Sequence, residues 1–525
     1  MQESNKESNN QIFKATGIIM IAMMLSRILG YARDVIIYSK FGQNYYTDAY
    51  NAAFSVPDLI YYLLVGGALS SAFIPIISGY IAKDEKNEAW HVVSTVFNLI
   101  MIFLFFGITL GMIFTEELIY ILVPGFNQDS LDLTVKLTRI MFAQSFFMTL
   151  NGIIQGVLHS SKHFLSPAIG SVLYNVGIIV IGLILSKPFG IAGFSVGVVG
   201  GALLNFLILL PALKKTGIKY YPGINLKHPG VIKLFKLIIP VFIGLSVTHL
   251  NLFVTQNLAS QLPEEGMISA LRAAYRISML PIGIFGLAIG VSFFPSLTGH
   301  AAKNEKKEYI KLLSLGVRTI VYITLPSTIG IIALKTPIVR TMFQQGNFTV
   351  ANTEATAHAL LFYSLGIVAY SAQALLYRSF YATEDTRTPV VVGVTTMSLN
   401  IILSIILVKY MNHGGLALAH SVAGIFNIII LLAVIKMKFG QIDGKNMLIS
   451  FTKTSISSII MGLSVYLTAQ IFGNYFGTED KILQIFQVLI ATGAGVVVYF
   501  ISTSIMKMEE ASIVKNIVMK KLKRG

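Results

Sequence analysis

The chain has 525 residues, 54% of them hydrophobic and only 12% charged, with a mean hydropathy of +0.71, no cysteine and a formal net charge of +16. A soluble domain carries roughly 25% charged residues, so this composition leaves too little polar surface for a water-exposed particle and predicts a membrane protein. The missing cysteines exclude disulfide scaffolding, thiolate metal ligation and thiol catalysis.

In chain order, apolar stretches of about 20 residues, enough to cross a bilayer as helix, fall near 15–39, 47–81, 89–114, 134–158, 165–186, 190–213, 234–262, 266–301, 308–334, 352–383, 389–408, 414–435, 448–472 and 483–506. These fourteen spans predict an all-α polytopic protein. The second, eighth and tenth are long enough to tilt, break or split. The polar opening MQESNKESNN lacks the layout of a cleavable signal, so the first span is expected to be retained. With their margins, the termini and even-numbered loops carry 26 Lys and Arg against 6 in the odd-numbered loops, which predicts cytoplasmic N- and C-termini. The net positive charge is thus mainly a topological signal and no evidence for nucleic acid.

An internal repeat runs at offsets of 220 and 222 residues. Gly66–Glu88 lines up on Gly286–Glu308, pairing Gly66 with Gly286, Phe73 with Phe293 and Pro75 with Pro295. GIAGFSVG, from Gly190, lines up on NHGGLALA, from Asn412, pairing Gly193 with Gly415 and, further on, Asn205 with Asn427. The expected organisation is a cytoplasmic N-terminus (1–14), a six-helix lobe (15–213), a basic linker (214–233), a second six-helix lobe (234–438), two extra helices (439–506) and a basic tail (507–525) suited to the inner leaflet. Six spans is an even number, so the lobes would be parallel bundles related by a pseudo-two-fold along the membrane normal.

The charges inside spans need a reason. Span one carries Ser26, Arg27, Arg33 and Asp34; Arg27 and Asp34 share one helical face, Ser26 and Arg33 an adjoining one. An intramembrane arginine costs about 2.5–3.5 kcal/mol on insertion scales, so these groups should face a bundle interior or wet cavity; the alternative is snorkelling to headgroups. Span eight carries Arg272 and Arg276 on one face, followed by the helix-bending Pro281. The arginines do not follow the repeat: Arg272 and Arg276 match Ala52 and Val56. Guanidinium forks suit phosphate oxygens, so the set reads as a diphosphate site; simple ion pairing with Asp34 is the other reading. In span two, Asp48 suits a cap or a mechanistic role, and Asp58, after Pro57, suits an arginine partner or freed backbone groups. His249 reads as a bonded core histidine, and Gly283, Gly286 and Gly290 as helix packing. The run Phe380–Pro389 reads as a turn between helices. There is no P-loop, no segment long enough for a nucleotide-binding domain and no metal-ligand spacing, which excludes ATP-driven transport and gives no cofactor.

The runs SRILGYARD (Ser26–Asp34), TDAYNAAFSVPDLI (Thr47–Ile60), GGALSSAFIP (Gly66–Pro75), LVPGF (122–126), FQQGNFT (Phe343–Thr349) and FYATEDTRTP (Phe380–Pro389) closely resemble the MurJ (MviN) family of bacterial lipid II flippases, of the multidrug/oligosaccharidyl-lipid/polysaccharide exporter superfamily. The resemblance implies a non-enzymatic, monomeric transporter of the cytoplasmic membrane. Its substrate would be lipid II, an undecaprenyl diphosphate bearing a disaccharide-pentapeptide, moved outward by alternating access. It implies cavity roles for Arg27, Arg33, Asp34 and Arg276, with Arg272 as a further ligand, and a span-two role for Asp48. Ser26, Pro57, Asp58 and Pro281 are candidates for gating or coupling, and spans thirteen and fourteen would form a groove for the prenyl tail. The chain departs from many relatives in carrying Tyr61, Tyr62 and Gly66 where they have Arg-Arg and a Glu. It also lacks carboxylates in spans seven and eleven, which leaves the coupling ion open. The competing expectations are export of another polyprenyl-linked glycan, cation-coupled drug antiport, or a membrane enzyme acting on polyprenyl diphosphates.

Overall fold

The computed structural model describes residues 2–66, 72–440 and 442–511; for 2–16 and 239–248 the description is of the backbone alone. The expected basic tail from 512 and part of the repeated segment, 67–71, lie outside the described residues. Every described element is helical.

The chain divides into two compact units, Met1–Ile268 and Ser269–Gly525. The first contains α1 (Gln2–Phe41), α2 (Tyr45–Ala53), α3 (Ser55–Tyr61), a π turn (Tyr62–Gly66), α4 (Ile74–Ala82), α5 (Lys86–Ile113), α6 (Thr115–Leu122), α7 (Gln128–Ser160), α8 (Leu165–Phe189), α9 (Ala192–Lys215) and α10 (Pro229–Ser260). The second comprises α11 (Met267–Pro281, which starts at the boundary), a π turn (Ile282–Gly286), α12 (Leu287–Ala302), α13 (Lys306–Ala333), α14 (Lys335–Phe343), α15 (Val350–Ser364), α16 (Ile367–Ala382), α17 (Arg387–Phe439), α18 (Gly444–Phe476) and α19 (Lys481–Ile505).

Among the described residues nine helices are long and apolar enough to cross a membrane, or ten if α15 and α16, bent by 42° at their junction, make one broken span. This is fewer than the fourteen spans expected. The helix α17 covers two expected spans, separated by a break at Asn412. Spans one and seven, on α1 and α10, fall partly on 2–16 and 239–248, whose side chains lie outside the described residues, and span two is divided among α2, α3, a π turn and α4. Large apolar side chains point outward, as Phe103, Phe105 and Phe106 do on α5, where lipid rather than water is the natural solvent.

The sequence repeat is a repeat of backbone conformation. Asp84 and Asn304, 220 apart, take positive φ of 63° and 56°, and Lys162 and Glu384, 222 apart, take 62° and 59°. In each turn the next amide donates back to the helix before it: Glu85 N to Tyr80 O and Glu305 N to His300 O, both at 3.0 Å, and likewise His163 N to Leu158 O and Asp385 N to Phe380 O. The π turns also lie 220 apart. The α8–α9 corner at Gly190 (φ 58°, ψ −139°) is reproduced at Asn412 (φ 49°, ψ −138°). Just past each corner a glycine is required by close backbone approach. A Cβ on Gly193 would stand 2.4 Å from the carbonyl carbon of Leu185, and one on Gly415 2.3 Å from the carbonyl oxygen of Leu407, again 222 residues on.

Candidate functional site: intramembrane arginines and their polar supports

On α1, Ser26, Gly30 and Arg33 follow i, i+4, i+7 spacing and so share one helical face. That face meets α8. The absence of a side chain at Gly30 lets the helices close up, since a Cβ there would already contact Asn175 Oδ1 at 3.6 Å. Asn175 then joins the helices: its Nδ2 donates to Ser26 O and Oγ, both at 3.2 Å, and to Ser171 O at 3.1 Å, while Arg33 Nη1 donates to its Oδ1 at 3.3 Å. Ser26 Oγ donates to Ser171 O at 3.0 Å.

Arg33 also gives Nε and Nη2 to Asp34 Oδ1, both at 3.0 Å, with the two side chains only 12% and 17% exposed. These are the donors of the fork that a carboxylate or phosphate grips in bidentate fashion. The neighbouring carboxylate therefore occupies the arginine's anion-binding edge. Arg27 lies outside this network and is exposed. The structure thus brings Ser26, Arg33 and Asp34 together, in agreement with the shared face of Ser26 and Arg33. It adds Asn175, which the sequence reading passed over. A lone amide within the apolar run SVLYNVGIIVIG was the available signal.

In the second unit Arg272 and Arg276 are half-buried on α11. Pro281, which cannot donate a backbone hydrogen bond, ends that helix, and a π turn follows at once. The expected bending point is therefore a change of helix type.

The span-two residues have local partners. Asp48 is 3% exposed, and its Oδ2 accepts the amide of Gly266 at 2.8 Å, tying α2 to the segment after α10. Its own helix is capped by Asn44 and Thr47, so the capping role weighed for Asp48 belongs to these two. Pro57 O accepts a hydrogen bond from Ser145 Oγ at 2.8 Å, and Asp58 Oδ1 accepts one from Gln144 Nε2 at 3.2 Å. Both donors are on α7, another pair of polar residues that the sequence reading did not single out. The rings of Tyr61 and Tyr62 meet at 5.2 Å, and Tyr62 packs on His249 of α10 at 4.7 Å. A Cβ on Gly66 would stand 2.5 Å from Tyr62 Cδ1. Tyr62 and Gly66 are therefore a matched pair: an aromatic ring occupies the space that the small residue leaves.

The run Phe380–Pro389 is a helix-to-helix turn. Asp385 accepts the amide and hydroxyl of Thr388, at 3.0 and 2.6 Å, and pairs with Lys438. Among the described residues no three His, Asp or Glu side chains gather as a metal site.

Residues 37–487 match the family model described as "Lipid II flippase MurJ". The chain belongs to the MurJ lipid II flippase family. It is 30% identical over 501 residues to a "Probable lipid II flippase MurJ" from Buchnera aphidicola subsp. Schizaphis graminum, covering 94% of this chain and 96% of that one. A solved structure titled "Lipid II flippase MurJ, inward closed conformation" superposes with a TM-score of 0.78 at 31% identity, over 93% of this chain and 98% of that one. An inward-facing multidrug resistance MATE family transporter of the MOP superfamily matches with a TM-score of 0.68 at 13% identity, over 81% and 98%. That last likeness is one of fold alone.

Proposed function

We propose that this protein flips lipid II from the inner to the outer leaflet of the bacterial cytoplasmic membrane by alternating access. Membership of the MurJ family carries the substrate assignment. The proposed ligands of the diphosphate are Arg27 and Arg33 on α1 and Arg276 on α11, with Arg272 beside it. Support comes from the fork of Arg33. Asp34 holds the two donors that a phosphate would need, so binding replaces one anion by another. An arginine that always has an anion to return to releases its substrate more readily than one left bare in a medium of low dielectric constant. Ser26 and Asn175 fix the arginine's approach. Asp48, Pro57, Asp58 and Pro281 sit where span two and span eight change direction or anchor to neighbours, which suits them to gating. The chain acts as a monomer with both termini in the cytoplasm, and spans thirteen and fourteen receive the prenyl tail.

The deciding experiment is depletion in the native bacterium, in a background without a redundant flippase, with leaflet-specific labelling of lipid II. Depletion should lower outer-leaflet lipid II and build it up inside. Unchanged outer-leaflet lipid II without inner accumulation would refute the proposal. Arg33→Ala and Arg276→Ala, expressed at normal levels, should fail to complement.

A further inference from the structure

The second unit holds a cavity of about 740 Å³ between α13–α14 and α18–α19. Its lining is mixed in chemistry. Ile329, Ile332 and Leu463 contribute apolar surface, Lys335 and Arg340 positive charge and Asn474 a polar group. Arg340 is held in place at both ends of its fork: Nη1 donates to Thr478 Oγ1 at 3.0 Å and Nη2 to Gln487 Oε1 at 2.7 Å. Gln487 is fixed in turn by the hydrogen bond its Nε2 donates to Ala469 O at 2.7 Å. Arg340 Nε is buried without a hydrogen-bond partner. Lys481 adds a second positive charge next to it, donating Nζ to Arg340 O at 3.1 Å. Among the described residues none of Lys335, Arg340 and Lys481 forms an ion pair with a carboxylate. Burial pushes the Arg340 guanidinium down, and burial together with the Arg340 charge does the same to the Lys481 ammonium.

Lys335 and Arg340 on the cavity lining, with Lys481 beside Arg340 and none of the three in an ion pair among the described residues, form a receptor for negative charge. The apolar part of the lining excludes a merely ionic guest, because a small anion would leave it against water. The segments that carry the cations, 335–351 and 473–482, belong to the odd-numbered loops that the positive-inside count assigns to the outer face. We propose that this cavity binds the phosphate head of an anionic phospholipid from the outer leaflet, its first acyl carbons lying along Ile329, Ile332 and Leu463. The site is separate from the arginines of α1 and α11 and does not rest on the lipid II assignment. Its occupant would act as a wedge that fixes α18 and α19 to α13 and α14.

The test uses the full-length protein, delipidated in detergent and without lipid II. It is exchanged into mixed micelles of phosphatidylglycerol or phosphatidylcholine, and the retained lipid is counted by native mass spectrometry. Phosphatidylglycerol should be retained preferentially. Lys335→Gln, at a side chain that makes no hydrogen bond among the described residues, should lower that retention about fivefold, the loss expected for one cation near a lipid surface. Arg340→Lys, which keeps the charge but not the fork, should lower it less than Arg340→Gln. Equal retention of the two lipids overturns the proposal, as does Lys335→Gln retaining as much phosphatidylglycerol as the parent. Occupancy by millimolar inorganic phosphate with no lipid preference would make this a soluble-anion site and overturn it too.

Discussion

At the scale of single residues, the arginine of α1 is positioned by a group that carries no charge. Asn175 makes hydrogen bonds to Ser26 and Ser171 and receives one from Arg33, so Asn175→Leu, branched alike but apolar, leaves several polar atoms in a membrane helix pair without their partner. Interhelical hydrogen bonds of this kind are worth about 1–2 kcal/mol at most. The expected outcome is a modest fall in melting temperature in detergent with a much larger loss of complementation, because Arg33 keeps Asp34 but loses its orientation. Equal loss in both measurements would make Asn175 purely structural. Asp385 gives a pH-dependent case outside the spans. Burial would raise its carboxyl, but hydrogen bonds from Lys438 and Thr388 outweigh this and hold it at about 2, below the ordinary 3.8. A depressed carboxylate contributes stability that is complete above its unfolded value and is lost as the pH falls through its folded one. Asp385→Asn should therefore melt below the parent at pH 6, and the two curves should converge as the pH approaches 2. The intramembrane arginines were legible in the sequence because their cost in lipid makes them conspicuous. Asn175, Gln144 and Ser145 were not, because a neutral polar residue in an apolar run has no comparable cost and its meaning depends on which helix faces it.

Among the helices, the informative places are the corners. Asn412 adopts φ 49° and ψ −138°, close to a region that glycine enters freely and other residues occupy only at about 1–3 kcal/mol. Its counterpart is Gly190. Asn412→Gly should therefore stabilise the second unit by about 1 kcal/mol, seen as a higher midpoint in thermal unfolding, and Gly190→Asn should destabilise the first by a similar amount. A lower midpoint for Asn412→Gly would mean that the asparagine side chain supplies more than the backbone loses. The sequence divided α17 in the right place, between 408 and 414, because Asn-His-Gly-Gly interrupts the apolar run. It also marked the second span as long enough to break. It did not reveal the π turns: the matched Gly66 and Gly286 were visible, but their reason is spatial. A Cβ on Gly66 would strike the Tyr62 ring, and one on Gly286 would stand 2.7 Å from Ser371 Cα.

For the molecule as a whole, the charge distribution makes a prediction that the composition allows to be tested cleanly. With no native cysteine, single cysteines report position without background. An impermeant maleimide should label Asp129→Cys on intact spheroplasts and Lys303→Cys only after permeabilisation, both sites being exposed; the reverse pattern would invert the assigned topology. The paired π turns carry a consequence for helix phase. A π turn holds one residue more than the α-helix needs, and a single extra residue rotates everything beyond it by about 100°. The same change of helix type recurs at the same repeat position, Tyr62–Gly66 and Ile282–Gly286, with residues 72 and 73 π as well in the first copy. Loss of one residue from either would rephase its helix and bring a different stripe of side chains into its packing.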